Sequence, residues 1–347
     1  MKRHVARLLR AVVRPLRLLF SRSRAGGSVA LAVLLSMTGV QALAQGAAQA
    51  YPSRPIRMIV TFAPGSATDT VARIYGQKMA EILGQPVIVE NRPGAVGTIG
   101  ADVVAKADPD GYTLLVGTNT TNAAVLSLLK HVPYDPRRDF TPITFLGVLP
   151  QVLIVNKDLP FKNVVDFVAY ARANPDKLSY GWTNSVSRVS AELLAQMADV
   201  RFFNVPYKSG STLVADLISG QINFTIIDMI VALPQIQSGA VRALAVTTPQ
   251  RISQLPQVPS IAEALKLPGY EMMGIFALFG PANMPGDIVA KLNAAVVRAS
   301  QDPELRSRFD KMSLNVQTTT PEQLRQRFER EIAVWTEIAG KAGIKPE

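Results

Sequence analysis

The stretch IRMIVTFAPGSATDTVARIYGQKMAEILG, residues 56–84, decides the fold class. Ile56 to Phe62 is a short apolar run of strand length, and Pro64-Gly65 breaks it. Thr68 or Asp69 offers a helix N-cap, Val71 to Leu83 carries apolar residues at helical spacing, and Gly84 stops the run. A strand, a turn and a helix in that order form one unit of an α/β protein with strands joined by crossover helices.

The same alternation continues outward from this unit. Strands are expected at Pro86–Glu90 and Tyr112–Gly117, with a helix over Gly97–Ala107 and the punctuating turn Asp108-Pro109-Asp110-Gly111 between them. A short helix at Asn122–Leu129 precedes a long extended stretch, Ile143 to Asn156, interrupted at Leu149-Pro150 and suited to a chain crossing between lobes. The pattern then restarts: helices at 164–173, 187–197 and 211–219 alternate with strands at 178–182, 202–207 and 223–228, and a strand at 241–247 follows. A further apolar run, Ile275 to Gly280, would carry the chain back. The last seventy residues read as three helices opening near Pro285, Pro303 and Pro321.

Residues 1–50 contain eight Lys and Arg, no acidic residue, and an apolar stretch from Ser28 to Val40, the pattern of a secretory signal. Cleavage is expected near residue 44 or 50, after Ala42-Leu43-Ala44 or Ala48-Gln49-Ala50. The segment takes eight positive charges with it, lowering the formal net charge from +11 to about +3, and no basic stripe for nucleic acid survives. The chain has no cysteine, which removes disulfides, thiolate nucleophiles and a lipid-accepting residue; a freely diffusing exported protein is expected. Of two histidines, His4 falls in the leader, and His131 precedes Pro133 far from any triad or metal-ligand spacing.

Three strand-to-helix loops carry the functional signal. Phe62-Ala63-Pro64-Gly65-Ser66-Ala67-Thr68-Asp69 lets backbone N–H groups at a helix N-terminus approach an anion, which the helix dipole also attracts. Trp182-Thr183-Asn184-Ser185-Val186-Ser187 is a comparable polar loop in the other half, and Gly117 to Asn122 (GTNTTN) supplies a third. Any one of them could be a plain helix cap; together they suggest a ligand cleft between two lobes. The PGAVGTIG segment has glycines at 94, 97 and 100, which is not the dinucleotide spacing. Glu263, Glu271 and Asp287 are scattered, forming no acid/base pair, and Glu329, Glu331 and Glu337 read as a charged helix face.

Longer segments resemble the Bug-type substrate-binding receptors of tripartite tricarboxylate transporters. They are YPSRPIR (51–57), the loop at 64–69, GQPVIVENRPGAVGTIGA (84–101), DPDGYTLLVG (108–117), PYDPRRDFTPIT (133–144), VPYKSG (205–210), VRALAVTT (241–248), LPQVPSIAEA (255–264) and GPANMPGDIVAKLN (280–293). The resemblance implies a two-lobed, type II Venus-flytrap α/β fold of the periplasmic binding proteins. Each lobe would hold a mostly parallel sheet flanked by helices: residues 51–152 plus 274–347 in lobe 1, residues 153–273 in lobe 2. It implies a monomeric periplasmic receptor that holds a small organic carboxylate and delivers it to integral-membrane permease subunits, with no metal and no cofactor. Carried over by position, the ligand-binding residues are Phe62, Pro64, Gly65, Ser66, Ala67, Thr68, Asp69, Asn119, Thr183, Asn184, Ser185 and Asp228.

This chain departs from the family pattern at Ser66 and Ala67, which replace a glycine run and bring Cβ atoms toward the ligand. Trp182 and Asn184 stand where small residues are common, and Arg188 where a histidine is frequent. Trp182 is either a stacking wall for a planar acid or an aromatic packed at the hinge. Arg188 either pairs with a ligand carboxylate or faces solvent or a salt bridge. Two other functions remain compatible with the pattern, a co-receptor presenting its ligand to a sensor kinase and an exported enzyme; the missing cysteine and usable histidine weigh against the second.

Overall fold

The computed structural model describes residues 51–346; the signal segment expected over residues 1–50 lies outside them. The elements run β1 (Ile56–Val60), α1 (Ala67–Leu83), β2 (Val87–Asn91), α2 (Thr98–Ala105), β3 (Thr113–Thr118), α3 (Val125–Leu128), β4 (Phe140–Asn156), α4 (Val164–Ala173), β5 (Ser179–Trp182), α5 (Ser185–Ala198), β6 (Phe203–Pro206), α6 (Gly210–Ser219), β7 (Phe224–Asp228), α7 (Met229–Gln237), β8 (Val241–Val246), α8 (Ile261–Leu265), β9 (Met273–Pro281), α9 (Gly286–Ser300), α10 (Pro303–Lys311), β10 (Asn315–Val316) and α11 (Pro321–Lys341).

β1 is central to the first half, pairing in parallel with β2 on one side and β3 on the other. Ile56, Met58, Ile59 and Val60 are all buried, as strands covered by helices on both faces require, and Arg57 alone emerges to bond Glu90 at 2.7 Å. The second half repeats this with β5 between β6 and β7, all parallel. The strands that link the halves run the other way: β9 pairs antiparallel with β3 and β4, and β4 antiparallel with β7 and β8. The parallel character read from the sequence therefore belongs to the outer strands of each half, and the crossing strands make the sheet mixed.

β4 is the spine of this arrangement. Its Phe140–Pro150 stretch pairs with β9, and from Gln151 on its partners are β7 and β8. Pro150 does not interrupt the strand as its sequence position suggests. It sits at the change of partners, opposite Met273, where its missing N–H removes least from the ladder. The result is a two-lobed α/β fold in which one strand belongs to both lobes.

The helices end where their caps dictate. α1 begins earlier than expected because Ser66, not Thr68 or Asp69, is its N-cap, the Ser66 hydroxyl accepting from the Asp69 N–H; Gly84 ends it with φ of 70°. Residues 120–124 form a π-helical turn leading into α3 rather than a plain helix from Asn122. α7 has no clear sequence signal because Pro234 lies inside it. α11 opens with a Thr320–Gln323 capping box and buries Leu324, Phe328, Ile332, Trp335 and Ala339, one apolar stripe.

Candidate ligand-binding site

A cavity of about 590 Å³ lies where the two lobes' loops meet. From the first lobe, β1 ends at Val60 and the chain turns through Gly65, at φ of 79°, into α1. Asp69 holds this turn from beneath. Its carboxylate accepts from the Gly65 N–H at 3.0 Å, from Asn91 Nδ2 at 2.9 Å and from Arg73 at 2.9 Å. Burial alone would raise the Asp69 carboxyl, but the bonds from Arg73, Gly65 and Asn91 outweigh it and hold it below the ordinary carboxylate range.

Asn91 donates to the Phe62 carbonyl as well, so β2 and α1 jointly fix the loop. The Ser66 hydroxyl takes the Asp69 N–H at 3.2 Å, leaving the Ala67 and Thr68 N–H groups ahead of the first intrahelical bond, at the positive end of the helix dipole. Both residues line the cavity.

The second lobe brings three helix starts to the same cavity. Asn184 caps α5 by accepting the Ser187 N–H at 2.9 Å, Ser209 caps α6 by accepting the Thr212 N–H at 3.2 Å, and Asp228 precedes α7. Asn184, Ser209, Gly210 and Asp228 all line the cavity. Thus four helix N-termini, α1 from one lobe and α5, α6 and α7 from the other, surround one space. That arrangement favours a negatively charged ligand bound by backbone N–H groups.

The charged residues among those lining the cavity are Lys208 and Asp228. Asp228 is buried at the wall, 8% exposed, and burial pushes its carboxyl from 3.8 up to about 6, with the Gln151 and Asn184 side chains acting in the opposite direction. Among the described residues no group of three or more His, Cys, Asp or Glu could hold a metal ion. None of the described helices is long and apolar enough to cross a membrane.

Of the residues singled out in sequence, Phe62, Ser66, Ala67, Thr68, Trp182, Thr183, Asn184 and Asp228 come together on the cavity wall. Pro64 and Gly65 line an adjoining cavity of about 440 Å³, on the far side of Gly210 and Val231. Asp69, Asn119, Ser185 and Arg188 are not wall residues. Asp69 is turned inward to hold its loop, and Ser185 is buried within the first turn of α5. Asn119 is buried and tied to the start of β9 through a 2.9 Å bond to the Met273 carbonyl. Arg188 lies over the Trp182 ring, 5.3 Å from its centre.

The sequence reading missed two loops that supply much of the wall. Pro93–Gly97 enters it with Ala95 and Val96 at φ of 45° and 55°, and Gly97 at 91°. The glycines of PGAVG were the available signal: a Cβ on Gly97 would stand 2.8 Å from Thr121 Cγ2, so the GTNTTN loop packs behind this one and does not line the cavity. The second is Pro206–Gly210, within the VPYKSG motif, whose Ser209 cap was equally legible.

Comparison with known proteins agrees with this geometry. Residues 71–344 match the model of the tripartite tricarboxylate transporter family receptor. The chain is 34% identical to Protein BugT of Bordetella pertussis over 301 residues, 86% of this chain and 92% of that one. It superimposes on R. palustris Rpa4515, solved with adipate, with a TM-score of 0.83 and 34% identity over 86% of this chain and all of that one. MatC from Rhodopseudomonas palustris, solved with bound malate, gives a TM-score of 0.79 and 35% identity over 83% of this chain and 99% of that one. Sequence, fold and cavity agree, and the chain belongs to the Bug-type tripartite tricarboxylate transporter receptors, a family of solute-binding proteins.

Proposed function

We propose that this chain is a periplasmic receptor that closes its two lobes, residues 51–152 with 274–347 and residues 153–273, around one small organic carboxylate. It would then deliver that ligand to the membrane subunits of a tripartite tricarboxylate transporter. The observation that carries the reading is the convergence of four helix N-termini on one cavity, where the N-cap side chains satisfy one N–H of α1, α5 and α6 and leave others for an anion. The neighbours solved with adipate and malate support a carboxylate as the anion.

A thermal-shift screen of the protein from residue 51 on, against aliphatic and aromatic carboxylates, tests this directly. At least one carboxylate should raise the melting temperature in proportion to the logarithm of its concentration. If none does while the protein remains folded, the reading is wrong. Delivery to a transporter is tested by uptake of the hit compound in cells with and without the receptor gene, which should differ.

A further inference from the structure

We infer that the acid taken by this cleft is a planar aromatic carboxylate whose ring lies against Trp182, a conclusion that rests on the carboxylate-receptor reading above. Phe62, Trp182 and Tyr207 all line the one cavity, the first from the loop after β1 and the other two from the second lobe. Ring walls on both sides of a cleft suit a flat apolar body, since aromatic pairs stack or meet edge to face. A space of about 590 Å³ also lies well inside the range that accepts ligands larger than a short-chain diacid.

Two of these rings are fixed before any ligand arrives. Arg188, one turn into α5, places its guanidinium 5.3 Å from the centre of the Trp182 ring. Tyr207 is held from three sides: its hydroxyl donates to Asp216 at 2.8 Å, its N–H donates to the Trp182 carbonyl at 2.8 Å, and its ring crosses Gly181, where a Cβ would stand 3.0 Å from Tyr207 Cε2. Walls fixed in this way cost little entropy on binding, which favours a rigid ligand of matching shape.

The polar atoms beside these rings are turned away from the open space. Thr61 lines the cavity, is fully buried, and its hydroxyl has no partner among the described residues. The Trp182 indole N–H is likewise buried without one. Neither atom is open to the cavity, so what Trp182 offers a ligand is the ring and not the indole N–H. Arg188 is thus a positioning residue that acts through Trp182, while the carboxylate goes to the helix N-termini.

The test is calorimetric titration of the chain from residue 51 on with benzoate and 4-hydroxybenzoate, against malate and adipate. At least one aromatic acid should bind more tightly than either aliphatic one. Trp182→Ala should weaken the aromatic acid about tenfold or more and any aliphatic acid about twofold at most, while Trp182→Phe keeps the preference. A second readout does not depend on those variants. In Trp335→Phe, Trp182 is the one remaining tryptophan, and its fluorescence should change saturably with the aromatic acid; adding Arg188→Gln should shrink that change. Binding of malate or adipate but of neither aromatic acid, or equal losses for both classes in Trp182→Ala, overturns the inference and leaves the receptor reading standing. Binding of no carboxylate at all overturns both.

Discussion

Asp69 and Asp228 are both buried carboxylates, yet their surroundings push them in opposite directions. Asp69 is held ionised by Arg73, Asn91 and the Gly65 N–H, so its contribution to stability is present above its ordinary range near 3.8 and is lost as pH falls through its lowered value. Asp69→Asn should therefore cost about 1–3 kcal/mol at pH 7 in urea unfolding, because the amide loses the charge facing Arg73 and sets its NH2 against either the Gly65 N–H or Asn91 Nδ2. Asp228 is the reverse case. Its folded value, about 6, exceeds 3.8, so the folded state binds the extra proton and the protein gains stability as pH falls from about 6 toward 4. Asp228→Asn should flatten that part of the profile and raise stability at pH 7 by on the order of 1–3 kcal/mol, measured by urea unfolding across pH. At this scale the sequence showed which residue types open the helices, but not which way each side chain turns. Asp69 and Asn119 stand out in the linear sequence, and in the fold both turn inward: Asp69 accepts from the neighbouring Gly65 N–H and the distant Asn91 side chain, and Asn119 donates to the distant Met273 carbonyl.

The strand-to-helix connections are where element boundaries become function. Each cap lies one residue ahead of its helix, so the residues that close a helix N-terminus are the ones that face the cavity. Pro93–Gly97 differs in kind, being held in left-handed backbone by contact with the turn behind it. Gly97→Ala should cost about 1–3 kcal/mol in urea unfolding and weaken ligand binding together, since a methyl group at φ of 91° would press on Thr61 and Thr121. Retained stability and affinity in that variant would mean the loop is free to relax. Most helices and strands were legible because their apolar spacing is regular. α7 was not, since Pro234 hides it, and β4 was expected to break at Pro150 because a linear sequence cannot show a change of strand partner.

Among the described residues the strands form one ten-stranded sheet, and β4 alone pairs with strands of both halves. A cavity between lobes joined by so few strands suits a closing motion about those strands, and ligand binding should then reduce the radius of gyration seen by small-angle X-ray scattering. An unchanged radius at saturating ligand would assign the motion to loops alone. The two-lobed class could be read from the order of strands and helices together with a resemblance that runs over residues 51 to 347. The cavity's composition could not, because its wall is drawn from five segments far apart in the chain. The most direct test of a carboxylate receptor is calorimetric titration of the purified chain with the best acid from the thermal-shift screen, followed by recovery of that acid. The expected result is saturation at one ligand per chain with the acid recovered intact; absence of saturable heat, or conversion of the acid to another compound, would contradict it.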